Sequence, residues 1–159
     1  MKVDLLCVGK LKEPYLRDAC EEYAKRLSRY CRLRILEVAD EKTKEGASDP
    51  ENEKILRAEG ERILNLIEDE AYVITLEIQG RQMDSPELAD MVSGLMVRGV
   101  SHFQFVIGGS LGLHNDVIKR SDLHLSFSKL TFPHQLMRVM LLEQLYRSCR
   151  IMNGEPYHK

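Results

Sequence analysis

The chain has 159 residues, of which 43% are hydrophobic and 30% charged, and a formal net charge of −2. That length and balance describe one globular domain, residues 1–159, with enough chain to bury a full core. No apolar run approaches the roughly 20 residues that a membrane-spanning helix needs, so no membrane partner is expected.

The N-terminus carries one lysine, then Asp4 inside its first apolar stretch, and reads as a strand rather than a signal peptide. Cys7, Cys20, Cys31 and Cys149 form no CxxC pair and the histidines do not cluster, so no metal is expected. Isolated thiols behind no signal peptide point to a reducing cytoplasm. The small net charge hides an asymmetry. Residues 1–36 hold nine Lys/Arg against five Asp/Glu, residues 37–90 six against sixteen, and residues 119–159 seven against three. If the two basic ends meet in the fold, or across a dimer, they make a positive surface suited to phosphate.

In chain order, residues 2–8 alternate weakly and are β-rich, predicting a strand. Pro14 suits the first turn of a helix in which Tyr15, Leu16, Ala19, Tyr23, Leu27 and Tyr30 recur at three- and four-residue spacing. Residues 33–38 are a second strand. Residues 40–50 are charged, lack an apolar period and read as a mobile loop. Asp49 is the expected cap of a helix from Pro50 to about Ile67. Residues 72–76 form a third strand, followed by a loop over 77–83. Ser85 caps the next helix, with Pro86 at its first position, to about Val97. The fourth strand covers 102–107. A short helix runs from Asn115 to about Arg120, a brief fifth strand covers 123–125, and 126–131 are a loop. Pro133 opens a last helix reaching about Arg150, and the tail from Met152 to Lys159 looks extended. Strands alternating with helices predict an α/β fold, a mostly parallel sheet flanked by helices.

The last helix is apolar around much of its circumference, through Leu136, Met137, Val139, Met140, Leu141, Leu142, Leu145, Tyr146 and Cys149. A helix apolar on most sides must be buried on most sides. One small sheet does not cover it, so a second copy of the chain is the expected cover.

Four segments carry candidate chemistry. Phe105-Val106-Ile107 runs into Gly108-Gly109-Ser110-Leu111-Gly112, and glycine at such density signals left-handed backbone or close approach. The turn is neither GxGxxG with a following ribose acid nor a Walker A motif. It also falls two-thirds along the chain, where an ordinary dinucleotide fold would place its phosphate turn after the first strand. Next, Ser126, Ser128 and Thr131 lead into a helix N-terminus whose free amides can hold a polar ligand or a carboxylate. In that first turn, the positive helix end favours a neutral His134, able to accept a proton. Glu143 and Arg147, four apart in the favourable order, would aim a guanidinium at phosphate or a base oxygen. The terminal Tyr157, His158 and Lys159 combine a stacking ring, an imidazole and an ammonium.

Taken in order, the segments resemble one family: Phe105 to Gly109, Leu125-Ser126, Thr131-Phe132-Pro133-His134-Gln135, Arg138-Val139, Leu142 to Arg147, and Tyr157-His158-Lys159. It is the large-subunit ribosomal RNA methyltransferase H family, in the SPOUT class of knotted methyltransferases. The resemblance spans essentially the whole chain and is most specific in the C-terminal third. It implies a parallel α/β sheet with a C-terminal trefoil knot holding S-adenosylmethionine. The family's cofactor positions match Leu76, Gly108, Phe127, Ser128, Lys129, Leu130, Thr131 and Phe132. It also implies a homodimer whose sites are completed by the partner, and a product, N3-methylpseudouridine, formed in the 23S rRNA of the 70S ribosome. On this reading His134 or His158 takes the N3 proton, Arg147 meets the developing charge, and Tyr157 and Lys159 hold RNA. The alternatives are an RNA-binding module without activity, and a nucleotide-dependent enzyme of doubly wound type.

Overall fold

The computed structural model describes all residues, 1–159. Five strands, β1 (Lys2–Val8), β2 (Arg32–Val38), β3 (Tyr72–Gln82), β4 (His102–Ile107) and β5 (Leu123–Ser126), form one sheet in the order β2-β1-β4-β3-β5. Every pairing is parallel. Helices α1 (Pro14–Leu27), α3 (Ser85–Val97) and α5 (His134–Met152) carry residues that pack on one face, with Val3, Leu5, Cys7, Phe103 and Phe105. Helices α2 (Asp49–Leu64) and α4 (Asn115–Arg120) cover the other, over Leu6, Val8, Val73 and Val106. The near-continuous apolar run of β4, buried at all six positions, follows from helices on both faces.

Several local outcomes differ from the sequence reading. The cap of α2 is Ser48, whose hydroxyl accepts from the Glu51 amide at 3.4 Å; Asp49 already lies in the helix. The cap of α3 is Asp84 rather than Ser85, in a reciprocal capping box with Glu87 (2.8 Å in both directions). Helix α2 ends at Leu64, with Leu66 and Ile67 in turns that still pack on the sheet. Tyr15, placed on the apolar period of α1, is 68% exposed.

The largest difference is β3. The expected loop over 77–83 is mostly strand. Leu76 and Arg81 both oppose Leu125, so residues 77–80 bulge out between them and pairing with β5 then resumes. Gly80 permits this. A Cβ there would lie 2.7 Å from the Leu125 carbonyl carbon, so only glycine lets the bulge close on β5.

Helix α5 lies between α1 and α3 on the sheet, burying Arg138, Leu141, Leu142, Leu145, Ser148 and Cys149. Within one chain Leu141, Leu142, Leu145 and Cys149 are thus covered, while Met137, Val139, Met140 and Tyr146 are partly exposed and Leu136 is exposed. The tail is turned rather than extended, and it folds back on α5.

At the opposite end of the sheet, Asp4 is fully buried and receives two hydrogen bonds from Arg34 (2.7 and 2.6 Å) and one from Gln104 (3.0 Å), with His102 Nε2 at 2.7 Å. Burial alone would raise this carboxyl. The bonds from Arg34, Gln104 and His102 outweigh it and hold the carboxyl down at about 2. Glu68 completes the cluster, its carboxylate oxygens accepting from Lys2 and Arg34 in internal ion pairs. The cluster welds the starts of β1, β2 and β4.

Candidate active site

The carboxyl ends of β3, β4 and β5 open into a cleft of about 710 Å³. In parallel sheets this edge is where ligands bind, because the loops there are free to vary while the strands hold them still. The glycine turn makes one wall. Its geometry is set from within: a Cβ on Gly108 would fall 2.6 Å from the Gly112 carbonyl carbon, and Gly112 adopts φ +85°. The Gly112 amide donates to the Gly109 carbonyl at 3.1 Å, closing the turn. Behind it stands Glu59 of α2, whose Oε1 lies 3.4 Å from the site of a Gly109 Cβ and whose Oε2 accepts from the Glu41 amide at 3.0 Å.

The opposite wall is the loop between β5 and α5. Ser126 Oγ donates to the carbonyls of Ile78 (2.8 Å) and Ser128 (3.0 Å), and Ser128 Oγ accepts from the Leu130 amide (3.0 Å). These bonds tie the loop to the β3 bulge and leave its remaining polar backbone available. Helix α5 begins at the cleft. Its N-cap, Pro133, supplies no side-chain cap, so the amides of the first turn have no capping partner there. The combination of an apolar wall (Leu76, Phe127, Phe132), unpaired helix-end amides and bare glycine backbone suits a ligand with a flat ring at one end and a carboxylate at the other.

Of the residues matched to cofactor binding, Leu76, Gly108, Phe127, Ser128, Leu130, Thr131 and Phe132 line this cleft. Lys129 is exposed and is not among the lining residues. The sequence reading missed Glu77, Ile78 and Gln79, which line the cleft from the β3 bulge. The lone glycine at 80, just past a strand, was the available signal of a close backbone approach.

His134 also lines the cleft. Burial lowers its pKa, and the neighbouring charges of Arg138 and Lys12 lower it further against the opposing pull of Asp40. The imidazole is therefore neutral at neutral pH and free to accept a proton. Arg138, one turn on, is 1% exposed and ties α5 to the sheet: Nη1 donates to Glu37 and Nη2 to the Gly9 carbonyl, each at 2.6 Å.

The remaining candidates gather elsewhere. Arg147 Nη2 and Nε donate to Glu143 Oε1 at 2.6 and 3.1 Å, and the Tyr157 hydroxyl donates to the same oxygen at 3.1 Å. The guanidinium carbon sits 4.7 Å from the Tyr157 ring centroid, and Nη1 lies 3.3 Å from His158 Nδ1. Burial and the bond to Glu143 push the Tyr157 phenol up to about 12, so it stays a donor. This group borders a second cleft of about 650 Å³, lined by His158, Glu143 and Gln144, which shares Leu125 and Phe127 with the first. Arg147, Tyr157 and His158 are thus brought together, with Lys159 exposed beside them. His134 is not among them: thirteen residues along one helix separate it from Arg147, about 20 Å at 1.5 Å per residue.

A parallel α/β sandwich with a glycine-walled cleft at the carboxyl edge defines the class of molecule. The family model described as "Predicted SPOUT methyltransferase" matches residues 1–158. The chain is 59% identical to the ribosomal RNA large subunit methyltransferase H of Bifidobacterium adolescentis, over 100% of both chains. It is 55% identical to the protein of the same name from Clostridium kluyveri, again over 100% of both. A solved structure of "a probable methylase family protein" from Haemophilus influenzae shares the fold, with a TM-score of 0.55 at 14% identity over 99% of this chain and 70% of that one. The chain belongs to the SPOUT methyltransferase family.

Proposed function

We propose that the protein transfers the methyl group of S-adenosylmethionine to N3 of a pseudouridine in 23S rRNA, on the assembled ribosome, as a cytoplasmic homodimer with a C-terminal trefoil knot. Seven of the eight matched cofactor positions converge on one cleft, and that convergence carries the reading. The full-length likeness to rRNA methyltransferases supports the substrate. When bound, the cofactor supplies an electrophilic methyl group. The chain supplies position, a base and charge compensation.

N3 of pseudouridine carries a proton at neutral pH. His134 or His158 accepts it, and Arg147 meets the negative charge that develops on a neighbouring carbonyl oxygen. Within one chain His134 stands in the cofactor cleft while Arg147 and His158 lie about 20 Å along the helix. In a homodimer whose sites are completed by the second copy, that copy would have to supply the charge compensation at His134 that this chain's own Arg147 is too far away to give. Partly exposed Met140, on the second cleft, and exposed Leu136 suit a contact with a second copy. Tyr157 and Lys159 then hold RNA at the seam. No helix is long and apolar enough to cross a membrane.

The test is methyl-labelled S-adenosylmethionine with ribosomes lacking the modification. The expected label sits on one pseudouridine of 23S rRNA, with little transfer to naked RNA. Full methylation by both His134→Ala and His158→Ala, in single turnovers with normal cofactor affinity, would remove the base assignment. Absence of any calorimetric signal with S-adenosylmethionine would leave an RNA-binding module instead.

A further inference from the structure

We propose that Lys10 and Lys12, on the loop between β1 and α1, form a phosphate-binding edge beside the cleft, gripping the backbone of the RNA strand next to the nucleoside that enters it. The proposal deepens the reading above and rests on it for the identity of the polyanion. The loop leaves β1 at the carboxyl edge of the sheet, next to the glycine turn: Val8 Cγ1 lies 3.2 Å from the site of a Gly109 Cβ. It is pinned at both ends. The Gly9 amide donates to the Val38 carbonyl (2.8 Å), Arg138 Nη2 donates to the Gly9 carbonyl (2.6 Å), and the Lys12 amide donates to Gln135 Oε1 (3.4 Å), one residue past His134. Between the pins the side chains alternate. Leu11 packs on the core, while Lys10 and Lys12 are exposed.

The two ammonium groups are therefore held outward by a fixed backbone, which lowers the ordering cost of a contact. Neither is engaged by a carboxylate. The ion pairs nearby belong to Arg138 with Glu37 and to Arg62 with Glu41. Two acidic groups lie at this loop, Asp40, with Cγ 3.6 Å from the site of a Gly9 Cβ, and exposed Glu13 at the loop's end, and neither forms an ion pair with Lys10 or Lys12. Lys12 is close enough to His134 to add to the effects of burial and Arg138 on that imidazole. A nucleoside inserted at His134 thus carries its flanking phosphates past both lysines. Lysine, a compact charge on a flexible stem, suits a phosphate without imposing base selection.

The experiment compares the wild type with Lys10→Ala/Lys12→Ala, Lys10→Arg/Lys12→Arg and Lys54→Ala on α2, measuring ribosome co-sedimentation and methyl transfer across salt concentration. The alanine pair should weaken ribosome binding on the order of tenfold and flatten the slope of log affinity against log salt by about 1.4–1.8, the release expected from two phosphate contacts. Its calorimetric affinity for S-adenosylmethionine should stay at the wild-type value. The arginine pair should restore the slope, and Lys54→Ala should leave it alone. An unchanged slope in the alanine pair, or equal losses in the alanine and arginine pairs, overturns the proposal. Salt-dependent binding through these lysines without methyl transfer by the wild type would support the phosphate edge while removing the proposed function.

Discussion

Gly108→Ala isolates the turn that walls the cleft. The added methyl would lie 2.6 Å from the Gly112 carbonyl carbon and nearer still to its oxygen, with Leu113 Cδ2 at 3.1 Å. Ordinary carbon contact begins near 3.5 Å, so the two strands of the turn must part by roughly 0.9 Å. Backbone cannot yield as a flexible side chain does, and overpacking of this kind costs about 1–3 kcal/mol. For a chain of this size each kcal/mol lowers Tm by about 2–4 °C, so thermal unfolding should shift down by roughly 2–12 °C. The same parting displaces the wall, and calorimetry should show at least a tenfold loss of S-adenosylmethionine affinity, about 1.4 kcal/mol. Gly112→Ala is the contrast. It meets no atom within 4 Å but must adopt φ +85°, so its cost of about 1–2 kcal/mol is conformational and not steric. A Gly108→Ala protein with wild-type Tm and affinity would refute the reasoning that the turn is closed against itself.

Gly80→Ala should force the β3 bulge off β5, lowering Tm by several degrees and moving Glu77, Ile78 and Gln79 out of the cleft wall; hydrogen exchange at 123–126 should quicken with it. Arg34→Ala should cost on the order of 2 kcal/mol in urea unfolding, as a hydrogen-bonded partner of a buried charge is lost. Because the folded Asp4 carboxyl sits at about 2, below its usual range, it stabilises the fold above pH 4, and that contribution is lost as pH falls from about 4 to 2; Arg34→Ala should shrink this acid-limb loss, seen in unfolding midpoints against pH. Tyr157→Phe keeps the ring over Arg147 but removes the bond to Glu143, so the tail should become more susceptible to carboxypeptidase while cofactor affinity is unchanged.

Strands buried on both faces were legible because apolar residues dominate them, as Phe103, Phe105, Val106 and Ile107 do in His102–Ile107. Beyond Leu76 the run gives way to Glu77, Gln79, Arg81 and Gln82, residues that read as loop. Only pairing with β5, a tertiary event, makes them strand. The caps were misplaced by one residue for a related reason. Asp49 and Ser85 each precede a proline, and proline sits at the second helical position in both helices, so the cap is one residue earlier. The candidate cleft was legible through family likeness more than through pattern, since glycine density alone does not say that Gly108 crowds Gly112. Lys10 and Lys12 carried no local signal at all. Their nearness to His134 comes from β1 lying beside β4, a hundred residues away in the chain.

That pairing also governs how the molecule comes into being. As the polypeptide emerges from its N-terminus, β1 can meet β2 early, yet its other edge waits for 102–107, and the hydrophobic face above it waits for α5. Nearly the whole sequence must be synthesised before the core can close, so nascent fragments should remain loosely held and protease-sensitive until release. Contacts of such long sequence separation also slow the search for the native state. The architecture thus couples maturation to completion of translation: a truncated product lacking the last helix has no stable half to fall back on.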